Sequence, residues 1–117
     1  MRNFLQEQDG WCGPAVIQAL LWWVYGHKVT QSEIAAACGT TEKWGTHPER
    51  MILFLKAYGF EVTVKEHADW WDLAREKGVY KVILYQKGTG DDRDGHYSIV
   101  VDHYKHCVFL ADPEEVK

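Results

Sequence analysis

Between Pro14 and Tyr25 nearly every position is apolar. Ala15, Val16, Ile17, Ala19, Leu20, Leu21, Trp22, Trp23 and Val24 cover almost the whole circumference of a helix. A helix apolar on all sides is a buried one, so the pattern predicts a helix through the middle of the fold. Pro14 suits its first turn and Gly26 its end. Thr30-Gln31-Ser32-Glu33 has the spacing of a capping box and predicts a short helix that stops at Gly39. Thr46-His47-Pro48-Glu49 predicts another helix start of the same kind, with Met51, Ile52, Leu55 and Tyr58 on one face and Gly59 as the stop.

Beyond Gly59 the periodicity changes. Phe60 to Val64 alternates apolar and polar and predicts a strand, Asp69 to Lys77 a short helix ended by Gly78, and Val79 to Tyr85 a second strand. Residues 87–95 are Gly, Asp, Thr, Lys and Arg only, and predict a polar loop. Tyr97 to Asp102 and Cys107 to Leu110 are β-rich runs separated by His103-Tyr104-Lys105-His106, which predicts a hairpin. Helices first and strands last point to an α+β fold with an antiparallel sheet, not a doubly wound one. There is no repeat, low-complexity tract or linker, so the 117 residues are expected to form one domain.

Composition narrows the function classes. Thirteen Lys and Arg against 17 Asp and Glu give a net charge of −4, without the basic surplus that a phosphate backbone requires, so nucleic acid is not an expected partner. The longest apolar run is about half the ~20 residues that span a bilayer, so no membrane span is expected. No apolar run precedes Gln6 and Glu7, so no secretory signal is read there. Cysteines at 12, 38 and 107 are odd in number and far apart, which is no disulfide framework; a reducing, cytoplasmic location is expected.

The informative stretch is Gln6-Glu7-Gln8-Asp9-Gly10-Trp11-Cys12-Gly13-Pro14-Ala15. Cys12 stands where the buried helix begins, facing free backbone N–H groups and the positive end of the helix dipole, both of which favour the reactive thiolate. A lone cysteine is commonly an inert buried side chain, and position alone leaves both readings open. A thiolate that attacks a carbonyl needs a base and a donor for the oxyanion. His96, after the polar loop and at the start of a strand, is the best placed base. Asp112, at the end of the adjacent strand, could hold one imidazole nitrogen so that the other faces the thiol. Taken singly, His96 also reads as a histidine beside a loop, and Asp112 as a turn former before Pro113.

Taken together these residues resemble the papain-like cysteine peptidases, in particular the bacteriocin-processing (double-glycine leader) peptidase family and its stand-alone relatives. The resemblance runs through Gln6, Asp9, Cys12-Gly13-Pro14-Ala15, Gly39-Thr40, Gly45-Thr46, Gly59, Gly95-His96-Tyr97 and Asp112-Pro113, in the family's order and over almost the whole chain. It implies a papain-like domain over residues 1–117, with Cys12 as nucleophile, His96 as general base, Asp112 orienting His96, and Gln6 as the oxyanion-hole side chain. It also implies a peptide or protein substrate and no cofactor. Members often carry a further strand or helix after the Asp-Pro, so a chain stopping at Lys117 reads as a minimal or truncated domain. The leader-processing members are normally fused to a membrane exporter, and no exporter segment is present here. Two other activities fit the same residues: acyl transfer of the phytochelatin-synthase type, and leader-peptide binding without catalysis.

Other residues carry less. Gln8 is also near Cys12, but the six-residue spacing favours Gln6. His103, His106 and Cys107 lack zinc-ligand spacing and read as a solvated turn, so no metal is expected. Asp91, Asp92 and Asp94 begin like a calcium loop without its later Glu, and read as a solvated loop near His96 that could act as a lid. Trp70-Trp71 reads as packing. Cys38, at a helix end where the dipole raises a thiol, and Cys107, among apolar neighbours, are expected to be inert.

Overall fold

A computed structural model of the chain describes residues 4–66, 69, 80–87, 94–104, 107–111, 113 and 114. Helix α1 spans Cys12–Tyr25 and is buried on all sides from Cys12 to Leu21, apart from the half-buried Gln18. Its last turn emerges: Val24 and Tyr25 are exposed. Tyr25 there packs its ring against His27, Tyr58 and Phe60. The apolar run therefore predicts the helix correctly but overstates its burial, because the aromatic end closes a surface cluster of rings.

Helix α2, Gln31–Cys38, opens with the expected capping box: the Thr30 hydroxyl accepts from the Glu33 N–H, and the Glu33 carboxylate accepts from the Thr30 N–H. Helix α3, Pro48–Tyr58, is capped by His47 and not by Thr46. His47 Nδ1 accepts from the Glu49 N–H at 3.2 Å. Thr46 is buried and makes its contacts elsewhere. All three helices end on a glycine with positive φ (Gly26, Gly39 and Gly59), whose N–H returns to carbonyls of the last turn.

The alternation from Phe60 to Val64 does not become a strand. Phe60 and Val62 pack on the core as a tail of α3, and among the described residues no strand pairs with them. Asp69 to Lys77, apart from Asp69, lies outside the described residues, as does Trp70-Trp71. The sheet consists of β1 (Lys81–Lys87), β2 (Asp94–Tyr104) and β3 (Cys107–Ala111), antiparallel in that order. With the helices this is an α+β fold. The strands run longer than the sequence pattern predicts: β1 reaches Lys87 and β2 begins at Asp94, so the polar loop narrows to residues 88–93, which lie outside the described residues. Tyr104 pairs with Cys107, leaving two residues between β2 and β3 where the pattern suggested four. The β2–β3 register shifts by one residue between Val100 and Asp102, a bulge at Val101.

α1 packs on α2, α3 and β2. Ile17 and Leu21 of α1, Ile34 of α2 and Ile99 of β2 are fully buried at this junction. Burying each such side chain contributes about 1.5–3 kcal/mol. Among the described residues no helix is long and apolar enough to cross a membrane.

Candidate active site

Cys12 is the first residue of α1, and no side chain caps the helix there. The first amides of any helix lack intrahelical acceptors. Pro14 has none to offer, and the Ala15 N–H returns to the Trp11 carbonyl at 3.0 Å. The Cys12 side chain is only 7% exposed, yet it lines a cleft together with Gln6, Trp44, Leu84, His96 and Glu114. Three of the four residues named from the sequence thus border one cleft. Asp112, the fourth, lies outside the described residues.

Two glycines let the polypeptide close around Cys12. Gly10 has φ +77°, and a Cβ there would sit 2.7 Å from the Glu42 carbonyl oxygen, so the segment before Cys12 lies directly on the turn of residues 41–45. Gly13 is needed for space alone: a Cβ would meet Thr46 Oγ1 at 2.5 Å and Thr46 Cβ at 2.7 Å. Thr46 in turn is fixed by Thr40, whose hydroxyl lies 2.8 Å from its own, and by Tyr97, whose hydroxyl donates to its carbonyl at 2.9 Å. Thr46 therefore buttresses the start of α1 from behind.

Strand β2 supplies the histidine. His96 is its third residue, not its first, opposite Tyr85 of β1. The His96 ring is 5% exposed and meets the Tyr85 ring edge-on at 5.5 Å. Its Nδ1 lies 3.8 Å from Glu114 Oε2. Glu114 was not singled out in the sequence; the β2–β3 pairing ends at Ile99 and Ala111, and the same register continued three steps would set Glu114 against His96. The neighbouring Tyr97 is held as the neutral phenol, its ionisation opposed first by burial and then by Cys12 and Cys38.

Gln6 is placed by its backbone and its amide. Its N–H donates to the Pro113 carbonyl at 2.7 Å, which joins the segment before Cys12 to the residue after Asp112. Its Nε2 donates to the Gln8 carbonyl at 3.2 Å, and its Oε1 is buried without a hydrogen-bond partner. A primary amide carries two N–H donors, so one remains for the cleft. Gln8, the weaker candidate, also borders the cleft, and its carbonyl accepts from the Trp11 N–H as well as from Gln6.

Cys38 is buried at the end of α2, and burial pushes its thiol up, with Arg50 partly opposing the rise. The direction matches the sequence expectation, but desolvation is the cause, not the helix dipole. The side chains of Asp94, His103 and Cys107, and residues Asp91, Asp92 and His106, lie outside the described set. Among the described residues no group of three or more His, Cys, Asp or Glu is gathered as a metal site would require.

The family model described as the peptidase C39 family matches residues 2–117. No curated protein and no solved structure matches the chain.

Proposed function

The chain belongs to the peptidase C39 family, papain-like cysteine peptidases related to the bacteriocin-processing enzymes, and from that premise we propose that residues 1–117 form one papain-like domain that hydrolyses a peptide through a thiol acyl-enzyme. Cys12 Sγ attacks the amide carbonyl. The Gln6 carboxamide and the Cys12 backbone N–H hold the oxyanion. His96 takes the thiol proton and delivers it to the leaving amine, and then activates the water that hydrolyses the thioester. Asp112 orients His96 and stabilises the imidazolium. In support, its two chain neighbours are tied to segments that carry Gln6 and His96: Ala111 pairs with Ile99 of β2, and the Pro113 carbonyl accepts from the Gln6 N–H. The chemistry requires no cofactor, the substrate is a peptide or protein, and the site of action is the cytoplasm.

One observation carries the reading. Gln6, Cys12 and His96 come from three separate segments and border the same cleft. The test is acyl-enzyme formation with an activated ester such as 4-nitrophenyl acetate, followed by mass spectrometry of the intact protein. An acetyl group on Cys12 that is lost to water supports hydrolysis. Its transfer to an added amine in preference to water would make the protein a transferase, and no acylation of Cys12 would leave only a peptide-binding role.

A further inference from the structure

The segment from Phe4 to Trp11 forms neither helix nor strand, so the position of Gln6 depends on hydrogen bonds from other elements. One goes from the Gln6 N–H to Pro113, and those on either side of it converge on Gln31, the first residue of α2, which is 1% exposed. Gln31 Nε2 donates to the Leu5 carbonyl at 2.8 Å, and Gln31 Oε1 accepts from the Glu7 N–H at 2.9 Å. The two backbone groups that bracket Gln6 are therefore held by one amide. The second Nε2 hydrogen goes to Gln18 Oε1 at 2.9 Å, and Gln18 Nε2 donates to the Val29 carbonyl at 3.1 Å. Gln18 belongs to α1, the helix that begins with Cys12.

We propose that Gln31 is a positioning residue, which sets Gln6 relative to Cys12 by clamping the backbone on both sides of it and tying that clamp to α1 through Gln18. The proposal rests on the reading of Gln6 as the oxyanion donor. An oxyanion donor acts only within hydrogen-bond distance of an oxygen that exists for an instant, and a displacement of about 1 Å can cost on the order of 100-fold in rate. The buried amide is fully used: both Nε2 hydrogens and Oε1 have partners, so replacing it with an apolar side chain of similar length leaves Leu5 and Glu7 without their anchor. Gln31 touches neither the nucleophile nor the substrate position. Its effect passes through Gln6.

Two reactions of the same thiol separate this role from a structural one. Acylation of Cys12 by 4-nitrophenyl acetate passes through an oxyanion, and alkylation by iodoacetamide, a direct displacement at carbon, does not. Rates are taken as the difference from Cys12→Ala. In Gln31→Met, acylation is expected to slow about tenfold or more while alkylation keeps its wild-type rate. In a Gln6→Ala background, Gln31→Met is expected to add nothing to the loss of acylation, since two residues acting as one unit are not additive. Should Gln31→Met fail to fold, Gln31→Glu, which keeps the acceptor for Glu7 and loses both donors, carries the same test.

Equal slowing of both reactions would overturn the proposal and make Gln31 a residue of general stability. Unchanged acylation in a folded Gln31 variant, or a multiplicative loss in the double variant, would also overturn it while leaving the oxyanion role of Gln6 intact. Full acylation in Gln6→Ala alone would instead remove the oxyanion reading itself, and the proposal with it.

Discussion

Nδ1 of the buried His96 lies 3.8 Å from Oε2 of Glu114, a side chain 49% exposed. The separation is beyond hydrogen-bond length, so Glu114 acts on the imidazole as a nearby charge and not as a fixed partner. In the proposed mechanism His96 takes the thiol proton, and an anion beside the ring stabilises the imidazolium so formed. Because Glu114 is half in solvent, that influence is screened.

Glu114→Gln is therefore expected to slow acylation of Cys12 only severalfold, with the difference vanishing as salt is raised. Asp112→Ala is expected to slow it far more and to do so equally at low and high salt, with Asp112→Asn milder because its carbonyl still accepts a hydrogen bond. Rates of nitrophenol release across a salt series distinguish the two carboxylates. Wild-type behaviour of Asp112→Ala would return that residue to a turn former before Pro113.

The two described cysteines should behave differently. Both border the cleft, but Cys38 is 1% exposed against 7% for Cys12, and burial pushes the Cys38 thiol up. Brief iodoacetamide treatment of the folded protein at mildly acidic pH should label Cys12 and spare Cys38, as read by peptide mass spectrometry. Cys12→Ala should abolish acylation at a stability cost of no more than about 1–2 kcal/mol.

On the proposed oxyanion role, Gln6→Ala removes a donor used only in the transition state. With any peptide the enzyme turns over, kcat should fall by about 10²–10³ and KM should change little. Steady-state kinetics give both numbers, and a rise in KM at constant kcat would place Gln6 in ground-state binding.

Gly13→Ala brings a methyl group into the Thr46 side chain. The overlap should cost about 1–3 kcal/mol, partly offset by roughly 1 kcal/mol of helix propensity, because Gly13 has no need of positive φ. Chemical denaturation reads the net loss. Since Thr46 is itself held by Tyr97 and Thr40, it has little room to withdraw, and acylation of Cys12 should fall along with stability.

Alkaline stability should carry the signature of Cys38. Its thiol ionises above the ordinary value of 9.0 in the folded state, so the unfolded chain releases its proton first as pH rises. The contribution is intact below pH 9 and is lost as the pH climbs from there through the folded value. Urea midpoints measured across that range should decline less steeply in Cys38→Ala than in the parent. Tyr97, raised in the same direction, adds a loss of the same sign above its ordinary value of 10.0.

Much of this arrangement was legible in the residues themselves. The apolar run and its flanking Pro14 and Gly26 mark α1, and the Thr30 and Glu33 spacing marks α2, because propensity, capping and periodicity agree there. The strand expected at Phe60 to Val64 fails since alternation records which side chains are buried, and a tail lying on helices buries alternate residues without a ladder. His47 displaces Thr46 as a cap because Thr46 is drawn inward by Gly13 and Tyr97, a tertiary demand invisible to a local rule. Gln31 looked like the first exposed turn of a capped helix; only the folded chain brings it to Leu5 and Glu7. Glu114 depended on a register that a four-residue turn would have misplaced.

The hydrogen bond between Gln6 and Pro113 has a consequence for timing. It joins Gln6, ahead of α1, to Pro113, beyond β3. Closing so long a loop is entropically costly and comes late in folding. A folding chain therefore keeps the Cys12 thiol in an incomplete cleft until the β2–β3 hairpin has docked. Partial unfolding of that hairpin would return the mature protein to the same silent state.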